Sequence, residues 1–262
     1  MNILLSIMAL GAMGLAFGIG LSYANKKFKV DSDPRIEAIT DALPAANCGA
    51  CGLPGCGNFA TAIVSGDVKP EDCPVAGFDA VQSIGKIMGV EVVESARKTA
   101  YIRCGGGFSN SEYRYDYQGM TSCTAAMQLA SGGAKSCSYG CLGEGSCVAV
   151  CDFDAITIKD GVAKVIEQKC VACLKCVSSC PKNLIIMIPQ DSKIRVACNA
   201  RDDARTVRAN CKVGCIGCRI CQRLCEPTAI KIFDQLAEID YEKCNDCKAC
   251  VEKCPMKCII AN

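Results

Sequence analysis

The sequence contains no histidine and no tryptophan. Without histidine there is no Rieske centre, no His-ligated haem, no mixed cysteine–histidine zinc finger and no mechanism built on a histidine base. No Gly-x-Gly-x2-Gly follows a strand pattern and no P-loop occurs, so hydride and phosphate chemistry must lie elsewhere. Net charge is small: 29 basic against 27 acidic residues leave a formal +2. What is abundant is cysteine, 25 in 262 residues. These must be disulfides, metal ligands or free thiols. An odd count in repeated Cys-x2-Cys runs favours metal in a reducing compartment over a disulfide framework. A ligand set this purely thiolate suits iron–sulfur clusters.

Two runs are complete: Cys215-x2-Cys218-x2-Cys221-x3-Cys225 and Cys244-x2-Cys247-x2-Cys250-x3-Cys254-Pro255. This is the spacing of a bacterial ferredoxin with two [4Fe–4S] clusters, in which the fourth cysteine of each run ligates the other cluster. The expected sets are Cys215, Cys218 and Cys221 with Cys254, then Cys244, Cys247 and Cys250 with Cys225. Zinc knots or disulfides are the bland alternative. The unit is an internal repeat: a shift of 74 residues lays Cys151, Cys170, Cys173, Cys176 and Cys180 onto Cys225, Cys244, Cys247, Cys250 and Cys254. Between them Ala155-Ile156-x-Ile158 matches Ala229-Ile230-x-Ile232, and Asp160-Gly161 predicts a hairpin turn. Cys137, Cys141 and Cys147 fall on Cys211, Cys215 and Cys221, but Glu144 stands where Cys218 is due.

Three readings of that gap compete: Cys137 supplies the missing thiolate, Glu144 ligates through oxygen, or the site holds three irons. Thiolate is the normal ligand, so Cys137 is the expectation, although Cys211 occupies the same repeat position where nothing is missing. Module 1 would then hold Cys137, Cys141 and Cys147 with Cys180, and Cys170, Cys173 and Cys176 with Cys151. Cys104, Cys123, Cys198, Cys211 and Cys258 remain. A sixth cluster on Cys104, Cys123, Cys198 and Cys211, with Cys258 free, competes with buried thiols packed as small hydrophobes.

At the amino terminus, Ile3 to Ala24 is an uncharged apolar run, long enough as a helix for roughly 33 Å, about one hydrocarbon core. Lys26, Lys27 and Lys29 follow, which places the bulk of the chain on the cytoplasmic side of the cell membrane by the positive-inside rule. A cleaved signal peptide is the rival, weakened by the missing basic n-region and the thiol cargo. Gly14-x3-Gly18 offers a seat for another membrane helix. Asp33-Pro34 then opens a helix with Ile36, Ile39 and Leu43 on one face, ended by Pro44. Cys48, Cys51, Cys56 and Cys73 make a complete set among glycines that let the backbone wrap closely; a four-cysteine zinc site shares that chemistry. Phe59 to Ser65 reads as a helix stopped by Gly66. Further on, Phe78 to Met88 reads as an amphipathic helix, Val90 to Val93 as a strand, and Tyr113, Tyr115 and Tyr117 as an edge strand.

The order of helix, Cys48–Cys73 domain and ferredoxin modules resembles the B subunit of Rnf complexes, the membrane-bound ion-translocating ferredoxin:NAD⁺ oxidoreductases, over essentially the whole chain. The resemblance implies an electron-transfer subunit that accepts electrons from soluble ferredoxin and passes them to membrane subunits. In that complex NAD⁺ is reduced on another subunit while Na⁺ or H⁺ is moved. A polyferredoxin subunit of another oxidoreductase and a membrane-tethered redox sensor or cluster carrier are the alternatives.

The cofactors expected are at least five [4Fe–4S] clusters, and six if Cys104, Cys123, Cys198 and Cys211 hold one. Each oxidised cluster with its thiolates adds about −2, so five move the holoprotein to about −8 and make nucleic acid a poor partner. No catalytic residue is expected. The fold class expected is α+β, divided as a transmembrane anchor (1–25), a small helical cluster domain (26–92), a connecting segment (93–135), and ferredoxin-like modules over 136–192 and 193–262.

Overall fold

The computed structural model describes residues 2–27, 33–92 and 96–261. Helix α1, Asn2–Lys27, takes up the apolar run, with Lys26 and Lys27 in its last turn; Lys29 lies outside the described residues. From Ile7 to Tyr23 its large side chains stand 55–72% exposed on all sides. The side chains of residues 2–6, 9 and 25 are outside the described set, and among the described residues no helix is long and apolar enough to cross a membrane.

The next unit is three helices around a small core. In α2, Pro34–Ala42, Asp33 caps the amino end by accepting from the Arg35 backbone, and Pro34 fills the first position, where no N–H is needed. Helix α3, Cys56–Ser65, starts on a cysteine and ends on Gly66 at φ 83°, the left-handed cap that glycine takes without strain. Helix α4, Phe78–Met88, matches its expected bounds. Ile39, Phe59 and Ile84, almost wholly buried, meet at the centre. The strand expected over Val90–Val93 is not formed at 90–92, and Val93 is outside the described residues. Instead the chain folds back on α4, where Val92 and the Val90 carbonyl pack on Gly85.

Strand β1, Lys98–Ile102, opens the first ferredoxin-like unit. A long excursion follows, carrying the short helix α5, Cys123–Met127. Then come α6, Ser146–Ala149, the hairpin β2, Ile156–Lys159, with β3, Val162–Val165, helix α7, Lys175–Ser179, and β4, Ile185–Pro189. The second unit runs from β5, Ile194–Val196, through α8, Ala204–Asn210, and α9, Ile220–Leu224. It continues with hairpin β6, Ile230–Phe233, and β7, Leu236–Ile239, then α10, Ala249–Glu252, and β8, Ile259–Ala261. The 74-residue shift therefore holds from α6 to the last strand. Asp160-Gly161 and Asp234-Gln235 make the two hairpin turns, all four with positive φ, which matches the twist of the strands they join.

Strand pairing moves one expected boundary. β1 pairs antiparallel with β4, Tyr101 opposite Ile186, as β5 pairs with β8. Residues 96–135 are thus part of the first module and not a connector. Tyr113 makes only an isolated bridge to Lys135, and no strand forms over Tyr113, Tyr115 and Tyr117.

The two modules are packed together. Gly105 N–H donates to the Ala197 carbonyl at 2.9 Å, and Glu112 N–H to that of Asn210 at 3.0 Å. Arg195, 3% exposed, reaches from β5 to Glu167 of the first module and lies 5.4 Å from the Tyr101 ring centroid. Breaking a buried pair by removing one partner costs about 3–5 kcal/mol. The Glu167 side chain is 20% exposed, so Arg195→Ala should cost about 3 kcal/mol. Urea unfolding of the iron-loaded protein checks this; an unchanged midpoint contradicts it.

Candidate metal centres

Six groups of four cysteines emerge. The first, site I, comprises Cys48, Cys51, Cys56 and Cys73 around one cavity between the 44–56 loop and the returning 73–75 segment. Asn47 fixes the loop: its side-chain oxygen accepts from Cys56 N–H at 2.8 Å, pinning the start of α3 beside the cavity.

Sites II and III belong to module 1. Cys151, Cys170, Cys173 and Cys176 line site II, the set expected from ligand crossover. Backbone N–H groups already point at two of these sulfurs, from Ala100 to Cys170 and from Ala155 to Cys151, both at 3.4 Å. The first comes from β1, which ties the strand to the site. Site III is lined by Cys123, Cys141, Cys147 and Cys180. Its fourth thiol is Cys123, not Cys137, and Glu144 is not among the residues lining it.

Site IV lies at the junction of the modules and is lined by Cys104, Cys137, Cys198 and Cys211. Cys123 and Cys137 have therefore exchanged the places expected of them. The cause is chain path. Cys104 follows β1 by two residues as Cys198 follows β5, and Cys137 and Cys211 share one repeat position. Site IV thus collects two equivalent pairs, one from each module. The excursion between Cys104 and Cys137 has no counterpart of equal length in module 2, and it delivers α5 to the gap at Glu144. There Cys123 N–H donates to the Ser146 hydroxyl at 2.8 Å, seating α5 against α6. The signal available in sequence was the Cys137–Cys211 equivalence.

Cys215, Cys218, Cys221 and Cys254 line site V, together with Cys258. Site VI gathers Cys225, Cys244, Cys247 and Cys250, which lie within electrostatic reach of one another. Cys258 is a fifth, buried thiol 3.6 Å from the Cys254 sulfur. Hydrogen bonding with it holds the Cys254 and Cys215 thiols below their ordinary range and pushes its own thiol up. The repeat places Leu184 at the corresponding position of module 1.

Sites I to V form a file. Cys48 of site I is within electrostatic reach of Cys173 of site II, and Cys176 of site II is in reach of Cys147 of site III. Cys141 N–H of site III donates to the Cys104 sulfur of site IV at 3.4 Å. Cys215 N–H of site V donates to the Cys198 sulfur of site IV at 3.2 Å.

Four thiols at each site, with no nitrogen ligand, fit an iron–sulfur cluster. Thiolates around one zinc stand about 3.8 Å apart for a Zn–S bond of about 2.3 Å. Among the described residues no three such side chains converge to hold one metal ion. At sites I to V the four thiols instead line one common cavity. Burial pushes the thiols of Cys147, Cys198 and Cys221 up to about 12 and those of Cys176 and Cys250 to about 11. A bound cationic core is what ionises thiols so placed.

Comparison with known proteins agrees with this chemistry. A family model described as a putative Fe-S cluster matches residues 43–75, and one described as a 4Fe-4S binding domain matches residues 237–260. The chain is 45% identical to the B subunit of the Na(+)-translocating ferredoxin:NAD(+) oxidoreductase complex of Acetobacterium woodii, over 98% of this chain and 77% of that one. It is 41% identical to the B subunit of the ion-translocating oxidoreductase complex of Methanosarcina acetivorans, over 97% and 96%. With the B subunit of the proton-translocating ferredoxin:NAD(+) oxidoreductase complex of Clostridium ljungdahlii it shares 36% identity, over 99% and 93%.

Proposed function

The chain belongs to the B-subunit family of ion-translocating ferredoxin:NAD⁺ oxidoreductase complexes, and from that premise we propose a relay of six [4Fe–4S] sites taking single electrons from reduced ferredoxin. It is an electron-transfer subunit of such an oxidoreductase, with 4Fe–4S clusters as cofactors and the other subunits of the complex as partners. The observation that carries the relay is the file of thiol sets, with site IV joined by N–H···S contacts to a site in each module.

Each cluster, when bound, supplies a one-electron couple. The protein's part is to hold the sites in sequence, exclude water and set their potentials. Backbone N–H groups aimed at Cys151, Cys170, Cys180, Cys104 and Cys198 offset the negative charge on ligand sulfur, which favours the reduced state. No general acid or base is needed, because no proton moves with the substrate.

Helix α1 is the anchor in this reading, set in the cell membrane with the remainder on the cytoplasmic side. Its support is a helix whose apolar side chains are exposed all round and whose last turn is basic, a surface suited to lipid. The ion moved, Na⁺ or H⁺, differs among the relatives' names, and this chain serves either as an electron carrier.

Gentle membrane extraction of the tagged full-length chain tests the proposal. Expected are co-purifying integral membrane proteins that include covalent flavin, about 24 irons per chain from six four-iron sites, and reversible bleaching by reduced ferredoxin. A soluble catalytic protein as sole partner, or one labile cluster per chain, would sink it.

A further inference from the structure

Lys135 is the most deeply buried charge of the two modules. It is 2% exposed. Its ammonium donates to the Gly106 and Cys141 carbonyls, both at 2.6 Å, and sits 5.4 Å from the Tyr113 ring centroid. Among the described residues no carboxylate pairs with it. A buried cation held by carbonyl dipoles and by Tyr113, with no carboxylate beside it, is costly unless an anion lies nearby. Its position says which anions those are. Gly106 lines site IV with Cys104 and Cys137, and Cys141 lines site III. Lys135 therefore stands in the wall between two sites, each carrying about −2 when oxidised and about −3 when reduced.

We propose that Lys135 is the shared countercharge of sites III and IV, a positioning residue that stabilises the added electron on either. This rests on the six-site reading above. Three consequences follow from elementary electrostatics. The couples at III and IV lie higher than they would without the cation, because reduction increases the negative charge it faces. One cation facing two anions also offsets part of the cost of holding both sites close together, while the penalty that an electron on III sets on one at IV is unchanged. Finally, the position is specific: the 74-residue shift puts Ala209 in its place in module 2, so sites V and VI have no such charge from this repeat position.

The test uses the full-length iron-loaded protein and follows all the couples by potentiometric titration with spectroscopic detection. Iron content is measured first: a wild-type value near 20 or below would remove the six-site reading itself, independently of what Lys135 does. With about 24 irons present, Lys135→Met and Lys135→Gln should lower two couples. At a fixed poise their reduced-to-oxidised ratio should fall about tenfold, which is 59 mV for one electron. The other four should stay, and Lys135→Arg should restore both. Loss of about 8 irons in Met and Gln variants, with Arg fully loaded, would equally support a countercharge, since Gln keeps hydrogen bonding without charge. A loaded Gln variant with every couple unmoved overturns the proposal. So does iron loss shared by Gln and Arg, which would mean that shape and not charge is what Lys135 supplies.

Discussion

Removing iron from the full-length protein is expected to unfold both ferredoxin-like modules, with loss of most of their far-ultraviolet dichroism. Among the described residues all four sheets have only two strands, and a two-stranded ribbon is marginal in water on its own. The helices at sites II, III, V and VI are four or five residues long, well short of the ~12–15 needed for independent helicity. Apolar burial does not make up the difference. Four of the eleven buried residues in the first module's core are cysteines, and five of fourteen in the second's. Without metal these line holes. Binding free energy at such sites is folding free energy. The dichroism left should be that of α1 and part of α2–α4, whose core of Ile39, Phe59 and Ile84 needs no metal to close. A chelated, reduced sample that keeps its full spectrum and cooperative thermal transition would contradict this.

The second large effect concerns Cys123 and Cys137, and iron counting of double variants reads it directly. Cys137→Ala with Cys198→Ala strikes site IV twice, so iron should fall from about 24 to about 20 per chain and no further. Cys123→Ala with Cys198→Ala strikes sites III and IV, and should leave about 16. The pairing expected from repeat spacing, Cys137 at site III and Cys123 at site IV, predicts the reverse: about 16 for the first double variant and about 20 for the second. The comparison is robust to partial loading, because both variants carry two lost thiols and only their distribution differs. Equal iron in the two would remove both assignments.

Much of this was legible beforehand. The runs at Cys215 to Cys225 and Cys244 to Cys254 place three ligands within seven residues, so the chain can reach them only by wrapping locally. The same holds for Cys48, Cys51 and Cys56, where glycines at positive φ allow the wrap. α2 and α4 were equally plain, since Asp33-Pro34 and the face through Phe78–Met88 are short-range signals. β1 was not, because Lys98–Ile102 has no partner until β4 arrives more than eighty residues later. Lys135 carried no signal at all. A single lysine looks like solvent-exposed surface until Gly106, Tyr113 and Cys141 are seen to enclose it.

By itself the sequence determined the chemistry of this protein: all-thiolate sites, two duplicated modules, the ligand runs, and the family to which the chain belongs. It also exposed the missing thiol at Glu144. Only the tertiary structure decided which distant thiols answer it. Cys104, Cys123, Cys137, Cys198 and Cys211 are separated by loops of 12 to 60 intervening residues, and loop-closure entropy grows so slowly with length that spacing hardly favours one pairing over another. What selects among them is the packing of β1 on β4 and β5 on β8, and the seating of α5 on Ser146. Those contacts bring Cys123 to site III and leave Cys137 to meet Cys211 at the junction.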